Sequence, residues 1–132
     1  MLLSSANCPR FELMDMVFVG WVNESIAGLP EGTITDRGAF RTQGENKAVG
    51  GVANSLHMQG QAIDISWGQA VKPRPHPNLD ILYYPLKNYY HFEVNKFGGS
   101  VNKVSFLPEQ FIDILPLVIF VLIFVLFIVS VL

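Results

Sequence analysis

From Ile114 to Leu132 the chain reads "ILPLVIFVLIFVLFIVSVL", 19 residues with no charged side chain and one hydroxyl, Ser130. A helix rises about 1.5 Å per residue, so this run would span roughly 28 Å, close to the hydrocarbon thickness of a bilayer. It is apolar on every face, so it lacks the polar stripe of a helix lying on a domain surface. Burying it inside protein would need a much larger domain than this sequence offers. Pro116 falls in the first turn, where its missing N–H costs little. Phe106 and Phe111 suit the interface, with Glu109 and Asp113 on its polar side. The sequence therefore predicts a single-pass, tail-anchored transmembrane helix over 109–132 and a separate domain over 1–108. Only Lys96 and Lys103 lie near the span, too few to orient it.

The remaining residues make a small domain with a modest core, one to which a bound metal would contribute useful stability. Nine basic and eleven acidic side chains give a net charge of −2 with no basic run, which excludes a nucleic-acid footprint. Cys8 is the one cysteine, so an internal disulfide and a four-cysteine zinc site are both excluded. Any metal must be held by histidines and carboxylates. The N-terminal "MLLSSANCPRFELMD" has neither the basic start nor the long apolar run of a secretory signal.

Phe11, Met14, Phe18, Trp21 and Val22 recur at helical spacing, which predicts a core-packing helix from Pro9 to Ala27 capped by Asn7. "TITDRGAFRT" reads as a short strand, and the polar, glycine-rich "QGENKAVGGVANS" as a loop. "QAIDIS" alternates as a strand, with Ala62, Asp64 and Ser66 on one face and Ile63 and Ile65 on the other. "KPRPHPN" is a stiff exposed connection, which places His76 in a solvated loop. "LDILYYP" and "YYHFEVNKF" are two further strands joined through "PLKN". Three or four strands and one N-terminal helix give a small α+β domain with an antiparallel sheet.

The polar residues of these strands carry the functional signal. Asp64 lies mid-strand between two isoleucines, where an unpartnered carboxylate is costly. Tyr89, His91 and Glu93 share a face of another strand. His57 stands seven positions before Asp64, with Gly60 between them. A zinc ion held by two imidazoles and one carboxylate would partner these groups together. Three protein ligands with an open fourth position is the catalytic pattern rather than the structural one.

Several features, in order, resemble the zinc peptidase family of D-alanyl-D-alanine carboxypeptidases, phage L-alanyl-D-glutamate endolysins and murein endopeptidases, which shares its fold with the hedgehog signalling domain. They are Phe40-Arg41-Thr42, Asn46, Val49-Gly50-Gly51, the series Ser55, His57, Gly60, Ala62, Asp64, and finally Tyr83-Tyr84-Pro85 with His91. Together they cover residues 34–94. The resemblance implies Zn2+ held by His57, Asp64 and His91. It implies Arg41 on a substrate carboxylate or the oxyanion, and Ser55 beside the site. Tyr89 could line the cleft for a peptide. Many relatives place an acidic base three residues before the last histidine, a position held here by Asn88. Another branch has an aspartate two residues after it, a position held here by Glu93, which becomes the expected catalytic base. The implied function is cleavage of peptidoglycan stem peptides, in phage entry, lysis or cell-wall remodelling, from a virion membrane or a bacterial inner membrane. The alternative is a non-catalytic zinc module associated with the wall.

Overall fold

A computed structural model describes residues 1–96 of the chain and the backbone of 104–106. The apolar run, and with it the expected membrane helix and the boundary near residue 108, lies outside the described residues. Among the described residues no helix is long and apolar enough to cross a membrane.

The core is built between one helix and one face of a sheet. Helix α1 is Met16–Ile26. Strands β1 (Ala62–Ser66), β2 (Leu79–Tyr84) and β3 (Tyr89–Val94) form an antiparallel unit with β3 in the middle. The hairpin connecting β2 and β3 turns through Pro85–Asn88, as "PLKN" suggests, and Asn88 adopts a left-handed φ of 51° there. A short fourth strand, β4 (Val104–Phe106), adds in parallel to the outer edge of β2, so the sheet has the order β1-β3-β2-β4 and is mixed rather than wholly antiparallel.

Phe18, Val22 and Ile26 of α1 and Ile63, Ile65, Ile81 and Phe92 of the sheet are almost completely buried in one cluster. Burying each of these side chains is worth about 1.5–3 kcal/mol. This apolar packing fixes which face of the sheet turns inward, and so which face is left for polar residues.

Three local expectations are corrected. The helix starts at Met16, not Pro9, and Asp15 rather than Asn7 caps it: the Asp15 carboxylate accepts from the N–H groups of Val17 and Phe18 at 2.9 and 3.2 Å. Upstream, Arg10 sits at φ 55° and Met14 is extended, so only a 3-10 turn, Phe11–Leu13, forms. Asn7 is used instead inside the N-terminal loop, accepting from Ser4 N–H and donating to the Leu2 carbonyl. Second, "TITDRGAFRT" is not a continuous strand. Thr33 pairs with Ser66 and the Gly38 carbonyl accepts from Asp64 N–H, but a turn closed by Gly38 N–H to the Thr35 carbonyl separates these contacts. Third, the glycine-rich loop contains helix α2, Gln43–Ala48. Thr42 and Glu45 form a reciprocal capping box, with Thr42 N–H donating to the Glu45 carboxylate at 2.8 Å. Arg10 grips the same carboxylate with two hydrogen bonds of 2.6 Å, tying α2 to the N-terminal segment.

Candidate metal centre and cleft

The outward face of the sheet is a grid set by strand register. Because directly paired residues share a face, Ala62, Glu93 and Asp80 form one row, Asp64, His91 and Leu82 the next, and Ser66, Tyr89 and Tyr84 the third. The grid floors a cleft of about 470 Å³, whose far wall is the segment from Gly50 to His57. Arg41, Ser55, Tyr89 and Glu93 all line this cleft together with His57, Asp64 and His91. The residues read from the sequence therefore converge on one place.

His57 reaches the cleft from outside the sheet. It lies on a 3-10 turn, Leu56–Gln59, that ends at Gly60 with φ 68°. A larger residue would force the backbone to shift: a Cβ at Gly60 would lie 2.4 Å from the Leu13 carbonyl oxygen. Gly60 also accepts from Asp15 N–H at 3.0 Å, so the turn is clamped against the start of α1. The His57 ring is buried, and its Nδ1 lies 2.8 Å from the Ala39 carbonyl oxygen. A carbonyl only accepts, so Nδ1 carries the hydrogen and Nε2 is turned toward Asp64, 3.5 Å from Oδ2.

Asp64 is the centre of the arrangement. Oδ1 lies 2.6 Å from His91 Nδ1, and Oδ2 accepts from Arg41 at 2.7 Å. Burial alone would raise its carboxyl, but hydrogen bonds and charge from His57 and His91 outweigh burial and hold it well below the usual carboxylate range. His91 shows the converse balance. Burial disfavours its charged form, yet the bonds to Asp64 and to Glu93, 3.3 Å from Nε2, raise it to about 9. The hydrogen bond to His91 lowers the Glu93 carboxyl, against the opposing effect of burial. Across the strands, Asp80 faces Glu93 and is raised by burial first and by that neighbouring charge second.

His57, Asp64 and His91 each offer one ligand atom, and these atoms lie within 4.8 Å of one another. The donor set fits zinc: two imidazole nitrogens and a carboxylate oxygen, with the second nitrogen of His57 already held by a backbone carbonyl, the partner that fixes a liganding ring. Binding at His91 Nδ1 requires loss of the proton it shares with Asp64.

Other expectations resolve differently. His76 lies in the loop as expected, but its ring is largely covered: it stacks on Trp21 at 5.9 Å and its Nε2 lies 3.2 Å from the exposed Glu24. Asn88 takes no part in the cleft. Its amide donates to the Trp67 carbonyl and accepts from the Tyr83 hydroxyl, in a separate cavity behind the sheet. Asn46 is buried and its amide donates to the Val52 carbonyl at 2.8 Å, holding the wall of the cleft. Sequence reading missed Asp80 and Tyr84, which line the cleft; the pairing of β2 with β3 brings them there, and strand alternation in "LDILYY" was the available signal.

The family model described as peptidase M15 matches residues 19–91, more than half of the 132-residue chain. The match ends on His91 and includes His57 and Asp64. No curated protein and no solved structure matches the chain.

Proposed function

Since the chain belongs to the peptidase M15 family, whose members are zinc-dependent metallopeptidases, we propose that it cleaves the stem peptides of peptidoglycan. The observation that carries this reading is the convergence of His57, Asp64 and His91 on the floor of an open cleft. These three residues would hold the zinc. Bound there, zinc would acidify a water and polarise the scissile carbonyl.

Glu93 would act as the base. It lines the cleft two residues beyond His91, on the same strand face, and its lowered carboxyl keeps it ionised at neutral pH. It takes the proton of the attacking water and returns it to the leaving amine. Asn88 occupies the position where many relatives carry an acid, and its side chain is held by Tyr83 and the Trp67 carbonyl, so Glu93 would take the task. Arg41 stands at the edge of the site with its guanidinium against Asp64, and a planar fork of this kind suits the charge developing on the carbonyl oxygen. Ser55 and Tyr89 contact the peptide. Whether the reaction is a carboxypeptidase or an endopeptidase cut follows from which fragments appear. The test is to incubate the zinc-loaded full chain with purified peptidoglycan and read the products by mass spectrometry. Peptide fragments that disappear with chelator support the reading, and intact stems with zinc-loaded protein refute it.

We propose further that the run over 114–132 anchors the domain in a membrane, on the strength of its 19 uncharged residues. The full chain should sediment with membranes and a version ending at Gln110 should not. A full chain that stays soluble without detergent overturns the anchor.

A further inference from the structure

Four tyrosines sit in two pairs on β2 and β3, and the two pairs are used differently. Tyr83 and Tyr90 face the back of the sheet, and each hydroxyl is spent inside the protein, on Asn88 at 3.1 Å and on the Val71 carbonyl at 2.8 Å. Tyr84 and Tyr89 face the cleft. Their rings stack at 4.9 Å with 24° between planes, and the Tyr84 ring meets His91 edge-on at 6.5 Å. Neither of these hydroxyls has a hydrogen-bond partner among the described residues. Of the two cationic side chains of the cleft, Arg41 is already engaged by Asp64 and the Arg37 carbonyl, and Lys96 lies toward Glu93.

Stacking holds the two rings in place, so their O–H groups are presented at little entropic cost. At the opposite end the cleft carries Glu93 and Asp80, with Lys96 near Glu93. The stacked pair therefore offers the oxygens of a bound peptide two uncommitted hydroxyl donors side by side at the tyrosine end of the cleft.

We propose that Tyr84, together with Tyr89, is a substrate-binding residue that donates its hydroxyl to a carbonyl or carboxylate oxygen of the bound peptide, fixing which way the peptide lies across the site. This rests on the peptide-substrate reading given above.

The test uses the zinc-loaded full chain in detergent, in a Glu93→Gln background so that binding is read without cleavage. The probes are the peptidoglycan pentapeptide stem as the free acid and as its C-terminal amide, titrated calorimetrically. Tyr84→Phe keeps the stacked ring and removes only the hydroxyl. It should weaken binding about fivefold, the worth of one net hydrogen bond, with unchanged zinc content and melting temperature. Tyr89→Phe should act similarly, whereas Tyr83→Phe on the back face should leave affinity unaltered. A loss confined to the free acid assigns the acceptor as the terminal carboxylate, and an equal loss with both probes assigns it as a backbone carbonyl. Unchanged affinity in Tyr84→Phe, or no binding of either probe to the parent protein, overturns the proposal. Binding without any turnover by the wild type would instead overturn the peptidase reading and leave the tyrosine assignment standing.

Discussion

Replacing Gly60 by alanine should damage this domain far more than the same change at Gly28, and the two together separate two physical effects. Both glycines have left-handed backbones, φ 68° at Gly60 and φ 81° at Gly28. A Cβ in that conformation costs about 1–2 kcal/mol. At Gly28 nothing lies within 4 Å of the added atom, so this is the whole expected loss. At Gly60 the new atom would meet the Leu13 carbonyl oxygen at 2.4 Å and Met14 Cα at 2.9 Å. Both are backbone, so no side chain can swing away. The turn must instead retreat from the start of α1, straining the Asp15 N–H bond to the Gly60 carbonyl. Adding about 1–3 kcal/mol for this overpacking gives about 2–5 kcal/mol, with about 3 kcal/mol as the working value. For a domain of this size that corresponds to a fall in melting temperature of roughly 12–24 °C, against about 4–16 °C for Gly28→Ala. Thermal unfolding followed by circular dichroism measures both. Because Gly60 N–H bonds the His57 carbonyl, the damaged variant should also hold zinc more weakly, and Gly28→Ala should not. Equal losses in the two variants would refute the close packing of Gly60 on Leu13.

Further outcomes follow from other parts of the structure. Glu93→Gln should retain zinc and lose turnover by about 10²-fold or more, the usual worth of a general base; full activity would remove Glu93 from the chemistry. Cys8 is buried, and burial, aided by Glu12, pushes its thiol up to about 11. A disulfide reagent at pH 8 should therefore modify it only as fast as the domain opens, and rapid labelling of the native protein would contradict this. Acid should unfold the domain in a defined way. Hydrogen bonds from Arg10, and then from Thr42, hold the Glu45 carboxyl below its ordinary range, and Gln61 lowers Asp15 against the opposing effect of burial. A depressed folded pKa gives stability that is present above the unfolded value near 4 and is lost as pH falls through the folded one. Urea midpoints should thus decline below about pH 4.5, and less steeply in Glu45→Gln; an identical decline in both would discount the Arg10–Glu45 pair.

The strands were legible because alternation is a local signal. In Ala62–Ser66 and Tyr89–Val94 the carboxylates and His91 fall on one face and the isoleucines, Tyr90 and Phe92 on the other, and the structure keeps that division. Asp64 and His91 could therefore be placed on one surface before their pairing was known. What failed was competition between local signals. Asn7 and Asp15 are both good caps, and the contacts that hold Asp15 in place come from far along the chain: Gln61 donates to it at 2.8 Å from 46 positions away. Thr42-x-x-Glu45 is a capping-box pattern lying within a glycine-rich stretch, and composition hid it. His76 looked solvated between prolines because its partners, Trp21 and Glu24, are distant in sequence. The same limit concealed Tyr84 and Asp80, whose place in the cleft is fixed by the register of β2 on β3 rather than by either strand alone.

The central claim is that His57, Asp64 and His91 make one zinc site, and zinc content tests it most directly. Plasma mass spectrometry on the purified full chain should find about one zinc per chain, the occupancy expected of a single three-ligand site. His57→Ala, Asp64→Asn and His91→Ala should each lose most of it, with a lower melting temperature than the zinc-loaded parent because metal binding stabilises the fold it requires. Equal zinc in the parent and the three variants, or none in the parent after incubation with zinc, would contradict the site.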